Sequence, residues 1–162
     1  LTATLALALF QRVKTAALLP KRYEVLVTEG VISAPELELA QRWAQRKNKD
    51  LEQVLVEDFK MSLTAMGKAL AKQANLPYQA HETSWRPNRE LAKKLNRAAC
   101  QKDQWLPWTL EQNLLTVVTP EPANRLGTEN AHRTFPYNEI RVSYTTRTEF
   151  NKMLEQYFPD TQ

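Results

Sequence analysis

Apolar residues recur through the first half of the chain at spacings of three and four, and the recurrence itself repeats. Val25-Leu26-Val27 returns twenty-nine positions later as Val54-Leu55-Val56, Ser33 as Ser62, Leu37 as Met66, and Ala40 as Ala69. A period in this range marks one helical supersecondary unit used twice. Each copy reads as a short helix followed by a long one. In the first, Tyr23, Val25 and Leu26 line a short helix over 23–29. Gly30 ends it, because glycine takes a left-handed C-terminal position without strain. Ser33, Pro35 and Glu36 then form a helix start: the serine accepts from exposed amides, Glu36 can complete a capping box, and proline is tolerated in the first turn. This helix is expected to run to Lys47, with Leu37, Ala40, Trp43 and Ala44 facing inward. In the second copy Leu51, Val54 and Leu55 make the short helix, and Ser62 caps a long one carrying Leu63, Met66, Ala69, Leu70 and Gln73. Phe59 stands where the first copy has Gly30, so the break there must be built differently, with Phe59 as a plug.

After Asn75-Leu76-Pro77-Tyr78 the pattern changes. A polar linker over 79–87 contains Trp85 and Pro87. Residues 88–99 read as one helix with Leu91, Leu95 and Ala98 on a face. Stretches 104–110 and 114–119 read as a hairpin around a turn at 111–113, which Pro120 and Pro122 end. A weak helix over 123–133 leads to 139–145, where Ile140, Val142 and Tyr144 alternate as in a half-buried strand. Phe150, Met153, Leu154 and Tyr157 give a closing helix over 147–157. The predicted fold class is α+β. Tandem helical hairpins occupy 1–78 (units at 21–48 and 50–78), followed by the linker. An α/β part over 88–158 then holds a small three-stranded sheet with helices on one side. Trp105 and Trp108 are expected to pack that sheet onto its helices rather than form an exposed aromatic interaction patch.

Composition narrows the chemistry. With 162 residues the chain can bury a real core. Its 22 basic and 18 acidic residues give a net charge of +4. Arg42, Arg46, Lys47 and Lys49 lie among acidic residues, as do Lys93, Lys94 and Arg97, so they read as solvated helix faces rather than a nucleic-acid stripe. Arg141, Arg147 and Lys152 offer a candidate anion site, but solvated edges of a strand and a helix are the preferred reading. Cys100 is the single cysteine, which excludes an internal disulfide, fits a reducing cytosolic setting, and in its apolar run reads as an inert buried thiol. The three glycines, Gly30, Gly67 and Gly127, are not spaced to wrap a phosphate, and His81 and His132 have no second ligand at helical spacing. No enzyme, cofactor or metal is expected. Residues 2–17 favour helix. The apolar run over 1–10 is too short to span a bilayer and is expected to pack on the domain rather than end a membrane span. The start at Leu1 suggests excision from a longer protein, and the closing segment after the last helix favours a C-terminal position.

The order of these elements resembles the GspE/MshE N-terminal domain family of type II secretion and type IV pilus assembly ATPases. The resemblance runs from about Lys21 to Tyr157. It rests on Val25-Leu-Val-Thr-Glu-Gly30-Val-Ile-Ser33, Ala69-Leu-Ala-Lys-Gln73-Ala-Asn-Leu-Pro77-Tyr78, Trp105-Leu-Pro-Trp108, Leu115-Thr-Val-Val-Thr-Pro120 and Glu149-Phe-Asn-Lys-Met-Leu-Glu-Gln-Tyr157. The chain is similar, too, to a domain at the C-terminus of inner-membrane glycosyltransferases that serve as phage-adsorption factors. The resemblance implies docking, either onto the cytoplasmic part of an inner-membrane platform protein or onto other domains of the parent protein. That places the domain at the cytoplasmic face of the bacterial inner membrane, membrane-associated only through its parent.

In the MshE-like branch, tandem units opening with Arg-Leu-Gly and ending in Leu…Gln bind cyclic di-GMP. Carried over to the first unit, the triplet falls on Lys21-Arg22-Tyr23. Leu26, Val27, Gly30, Val31 and Leu37 match, Gln45 is one residue late, and Gln41 takes a leucine position. In the second unit the triplet falls on Asp50-Leu51-Glu52, of which only Leu51 matches. Leu55, Val56, Leu70 and Gln73 match, Met66 is a conservative replacement, and Phe59 displaces the glycine. An arginine lost from such a motif removes on the order of 1–2 kcal/mol of guanine stacking or phosphate pairing, and Asp50 repels phosphate. The leading reading is a non-catalytic regulatory or docking domain. The alternative is a cyclic di-GMP sensor with a degenerate motif, held chiefly by the first unit. A nucleic-acid binder comes last, because only the net charge suggests it.

Overall fold

The computed structural model describes residues 22–159. Lys21, the expected helix over 2–17 and the question of a packed helix or span end all lie outside the described residues. A short helix α1 covers 22–28. It is followed by α2 (Ala34–Lys47), α3 (Leu51–Glu57), α4 (Leu63–Ala74), α5 (Arg89–Ala92) and α6 (Arg97–Asp103). The hairpin β1 (Leu106–Glu111) and β2 (Leu114–Thr119) comes next, then α7 (Arg125–Thr134), β3 (Glu139–Tyr144) and α8 (Arg147–Tyr157). The fold is α+β: paired helical units, then a three-stranded sheet of order β1-β2-β3 with helices packed on it. No described helix is long and apolar enough to cross a membrane.

Local chemistry sets the two long helices. Ser33 Oγ accepts from the Glu36 amide at 3.3 Å and donates to the Glu36 carboxylate at 2.7 Å, which starts α2. Ser62 Oγ accepts from the Ala65 amide at 3.2 Å and starts α4. Both helices end on an asparagine in left-handed conformation, Asn48 and Asn75, the residue after glycine that tolerates it best. The breaks between short and long helix differ as anticipated. Gly30 takes the left-handed position in the first copy (φ 73°), and Lys60 takes it in the second (φ 56°). The left-handed residue has slid by one, so Phe59 needs no glycine-like backbone and packs against the helical core.

That core holds Leu26, Leu37, Ala40, Val54, Leu55, Met66, Ala69 and Leu70, joined by Tyr144 from the end of β3. Tyr78 pairs with Tyr144 in a parallel bridge, and Gln79 N–H donates to the Tyr144 carbonyl at 2.7 Å, so the expected linker begins as a strand-like extension of the sheet. β1 and β2 are antiparallel, while β2 and β3 are parallel across α7.

Four expectations need correction. The sheet has helices on two sides, not one. Leu115 and Val117 pack with Ala131 and Phe135 beneath α7, whereas Val118 packs with Phe150 and Met153 of α8, and neighbouring strand residues face opposite ways. The helix expected over 88–99 is two, because Asn96 Oδ1 accepts from the Ala99 amide at 3.0 Å and starts α6 afresh. Ala98 is consequently exposed, and Cys100 is buried in its place. Trp43 faces outward: its indole N–H donates to Asp58 at 3.2 Å and Lys47 Nζ lies 4.4 Å over the ring. Trp105 and Trp108 are buried as expected. Trp108 stacks on Trp85 at 4.5 Å, and the Trp85 indole donates to the Trp108 carbonyl at 2.9 Å.

Candidate functional site

A groove of about 560 Å³ opens where α1, the end of α2 and the start of α3 meet the loop after β2 and the start of α8. Arg22 and Tyr23 reach it from α1, Gln41, Ala44 and Gln45 from α2, and Leu51 from α3. Asn48, Lys49 and Asp50 line it between these helices, and Glu121 and Arg147 come from the sheet part.

Its charged groups are wired to one another. Arg22 Nη1 lies 3.0 Å from Glu121 Oε2, and Arg22 Nη2 donates to the Tyr144 hydroxyl at 3.2 Å and to the Pro120 carbonyl. Arg147 donates to the other oxygen of Glu121 and, at 3.2 Å, to Asp50 Oδ1. One carboxylate therefore bridges two guanidinium groups, as a phosphate does in bidentate arginine sites. Burial works against the Arg22 charge, but Tyr144, Tyr23 and Glu121 outweigh it and raise its pKa, so the guanidinium stays charged. Burial likewise raises the pKa of the Tyr23 hydroxyl and pushes that of Tyr144 up to about 12, so both remain protonated hydrogen-bonding groups near neutrality. Gln41 Nε2 is shielded from solvent and has no partner among the described residues.

Glu52 lies behind the groove and is 3 % exposed. It accepts from the Arg147 amide at 3.1 Å, the Thr148 amide at 2.6 Å and the Thr148 hydroxyl at 2.7 Å. A carboxylate from α3 thus satisfies the open amides of α8, where the helix dipole also favours negative charge. The position at which the second unit departs from the motif glycine has become a structural clasp between the helical pair and α8.

Of the residues singled out from sequence, the groove gathers Arg22, Gln45 and Leu51. Val27 and Leu37 line a smaller cleft of about 340 Å³, which shares Gln41 with the groove. Leu26, Leu55 and Leu70 are core residues, and Val31 and Val56 are half-buried against that core. Gly30 and Gln73 are exposed. Sequence reasoning missed Glu121 as a site residue and preferred a solvated edge over an anion site for Arg147. The only local signal was Pro120-Glu121-Pro122, in which a stiff segment holds one carboxylate.

The pattern of the MshEN domain family matches residues 74–162, more than half of the chain. The match covers the linker and the sheet part rather than the repeated helical units. The fold is similar to a solved structure of MshE with cdg (cyclic di-GMP): TM-score 0.59, 18% identity, 83% of this chain and 96% of that one covered. It is also similar to the N-terminal domain of XpsE, with TM-score 0.53, 13% identity, and coverage of 83% and 92%. No curated protein matches the chain in sequence.

Proposed function

The chain belongs to the MshEN domain family, and from that premise we propose that it is a non-catalytic regulatory and docking domain of a larger bacterial protein. Its partners are other domains of that parent or a cytoplasmic segment of an inner-membrane platform protein, and its place is the inner face of that membrane. One observation carries this reading. The charged residues at which the repeats depart from a nucleotide motif work inside the fold, Asp50 on Arg147 and Glu52 on the first turn of α8. They clasp the helical pair to α8, which makes a relay for mechanical contact more than an open nucleotide pocket. Crosslinking in the full-length parent protein tests it. Links are expected from this domain to another parent segment or to a platform protein, and a domain that crosslinks to neither would count heavily against docking.

A second reading, a cyclic di-GMP sensor, is favoured by the convergence of Arg22, Tyr23, Gln45 and Leu51 on one groove that also holds the Gln41 amide, which has no partner among the described residues. Similarity to MshE solved with cdg lends it support. Titration calorimetry decides: heat at high-micromolar cyclic di-GMP, abolished by Arg22→Ala, supports sensing, and silence removes it.

A further inference from the structure

We propose that Arg22 and Arg147 form a seat for a phosphate-bearing ligand and that Glu121 is its built-in occupant, a latch that an incoming ligand must displace. The inference rests on the groove of the sensing reading but not on any particular nucleotide. Each oxygen of Glu121 meets a different arginine, Oε2 with Arg22 at 3.0 Å and Oε1 with Arg147. Two guanidinium groups sharing one anion from opposite sides is the arrangement that phosphate oxygens also satisfy.

The latch is held from its own side of the molecule. Pro120 and Pro122 flank Glu121, its amide donates to Thr119 Oγ1 at 3.0 Å, and the Pro120 carbonyl accepts from Arg22. Glu121 thus lies on the connection from β2 to α7, whereas Arg22 and Asp50 belong to the helical units. With Glu121 displaced, Arg22 loses its carboxylate partner and Arg147 keeps Asp50 as its side-chain partner, while the buried Glu52 stays committed to the Arg147 and Thr148 amides. A phosphate would restore the lost pairing, and the Gln41 amide, which has no partner among the described residues, lines the same groove as a further donor. A ligand would then free the β2–α7 connection, so occupancy would be read out as movement of that segment relative to α1.

Pyrophosphate is the probe, titrated by NMR at matched ionic strength into the wild-type chain and into Glu121→Gln. The variant keeps the shape and removes the charge. It is expected to bind pyrophosphate about tenfold more tightly or better, with amide shifts at Arg22, Tyr23, Glu121, Ala123, Asn124 and Arg147. Glu121→Asp, one methylene shorter, keeps the charge and should show a smaller gain with an intact fold. Equal affinity of both variants and wild type, or shifts confined elsewhere, overturns the latch. Should wild type bind cyclic di-GMP while neither variant gains pyrophosphate affinity, the latch falls and the sensing reading stands. The reverse pattern keeps the latch and removes the nucleotide.

Discussion

Glu52 is a buried carboxylate with three donors on one helix end, and that pairing decides its effect on stability. Glu52→Ala leaves the Arg147 and Thr148 amides without their acceptor, and the loss of such a cap lowers stability by about 2 kcal/mol. Urea unfolding should show a lower midpoint with an unchanged slope, and Glu52→Gln, which still offers an oxygen, should lose less. The two breaks between short and long helices make a matched pair. Gly30 has open space where a Cβ would go, so Gly30→Ala meets only the backbone penalty of a left-handed residue. Lys60 already bears that penalty. Gly30→Ala should destabilise and Lys60→Gly stabilise, each by about 1 kcal/mol, measured as opposite shifts in thermal midpoint. At this scale the sequence is readable where a side chain acts on its own backbone, as at Ser33 and Ser62. It was not readable at Lys60, because nothing in a lysine announces a positive φ.

The packing of α4 sets two opposing effects against each other at Gly67. Alanine in a helix interior is better than glycine by about 1 kcal/mol. A Cβ at Gly67, however, would stand 2.4 Å from Cε1 of Tyr78. Tyr78 cannot simply swing aside, because its hydroxyl donates to Glu149 at 2.5 Å and its backbone bridges to β3. The clash therefore wins, and Gly67→Ala should destabilise by about 1–3 kcal/mol. Adding Tyr78→Leu should recover part of that loss in the same denaturation assay, through coupling of the two contacting sites. Element identity was mostly legible, since periods of 3.6 and 2 with serine caps mark the long helices and the strands. It failed over 88–99, where Asn96 restarts the helix and an apolar period alone cannot reveal the interruption. It failed again for Trp43, whose place in the period fits an inward face although a side chain this large finds an acid and a lysine at the rim.

For the molecule as a whole, burial puts several acidic protons out of reach of mild base. Burial raises the pKa of Tyr23, Tyr78 and Tyr157, with Glu149 adding to the rise at Tyr78, and pushes Tyr144 and the Cys100 thiol up to about 12 from ordinary values of 10.0 and 9.0. Below those ordinary values the groups are protonated whether folded or not, and their contribution is fully present. Above them the unfolded chain releases protons that the folded one keeps, so stability falls as pH rises toward 12. Urea midpoints should drop steadily from pH 9.0 upward, and in a Tyr137→Phe background, which removes the one exposed tyrosine, tyrosinate absorbance should appear together with unfolding rather than before it. The groove is also a property of the whole chain. Arg22 and Glu121 are 99 positions apart, and Arg147 and Asp50 are 97. Local patterns nominated Arg22, Gln45 and Leu51, but pairing across such distances leaves no periodic trace. The distribution of the four tryptophans has a practical consequence. Trp85, Trp105 and Trp108 are buried around the sheet, while Trp43 alone stands at the surface of the helical pair. Intrinsic emission therefore contains two clocks. The wavelength shift follows the sheet, and acrylamide quenching of the accessible fraction follows α2, so a single cuvette can reveal whether the halves melt together or in turn.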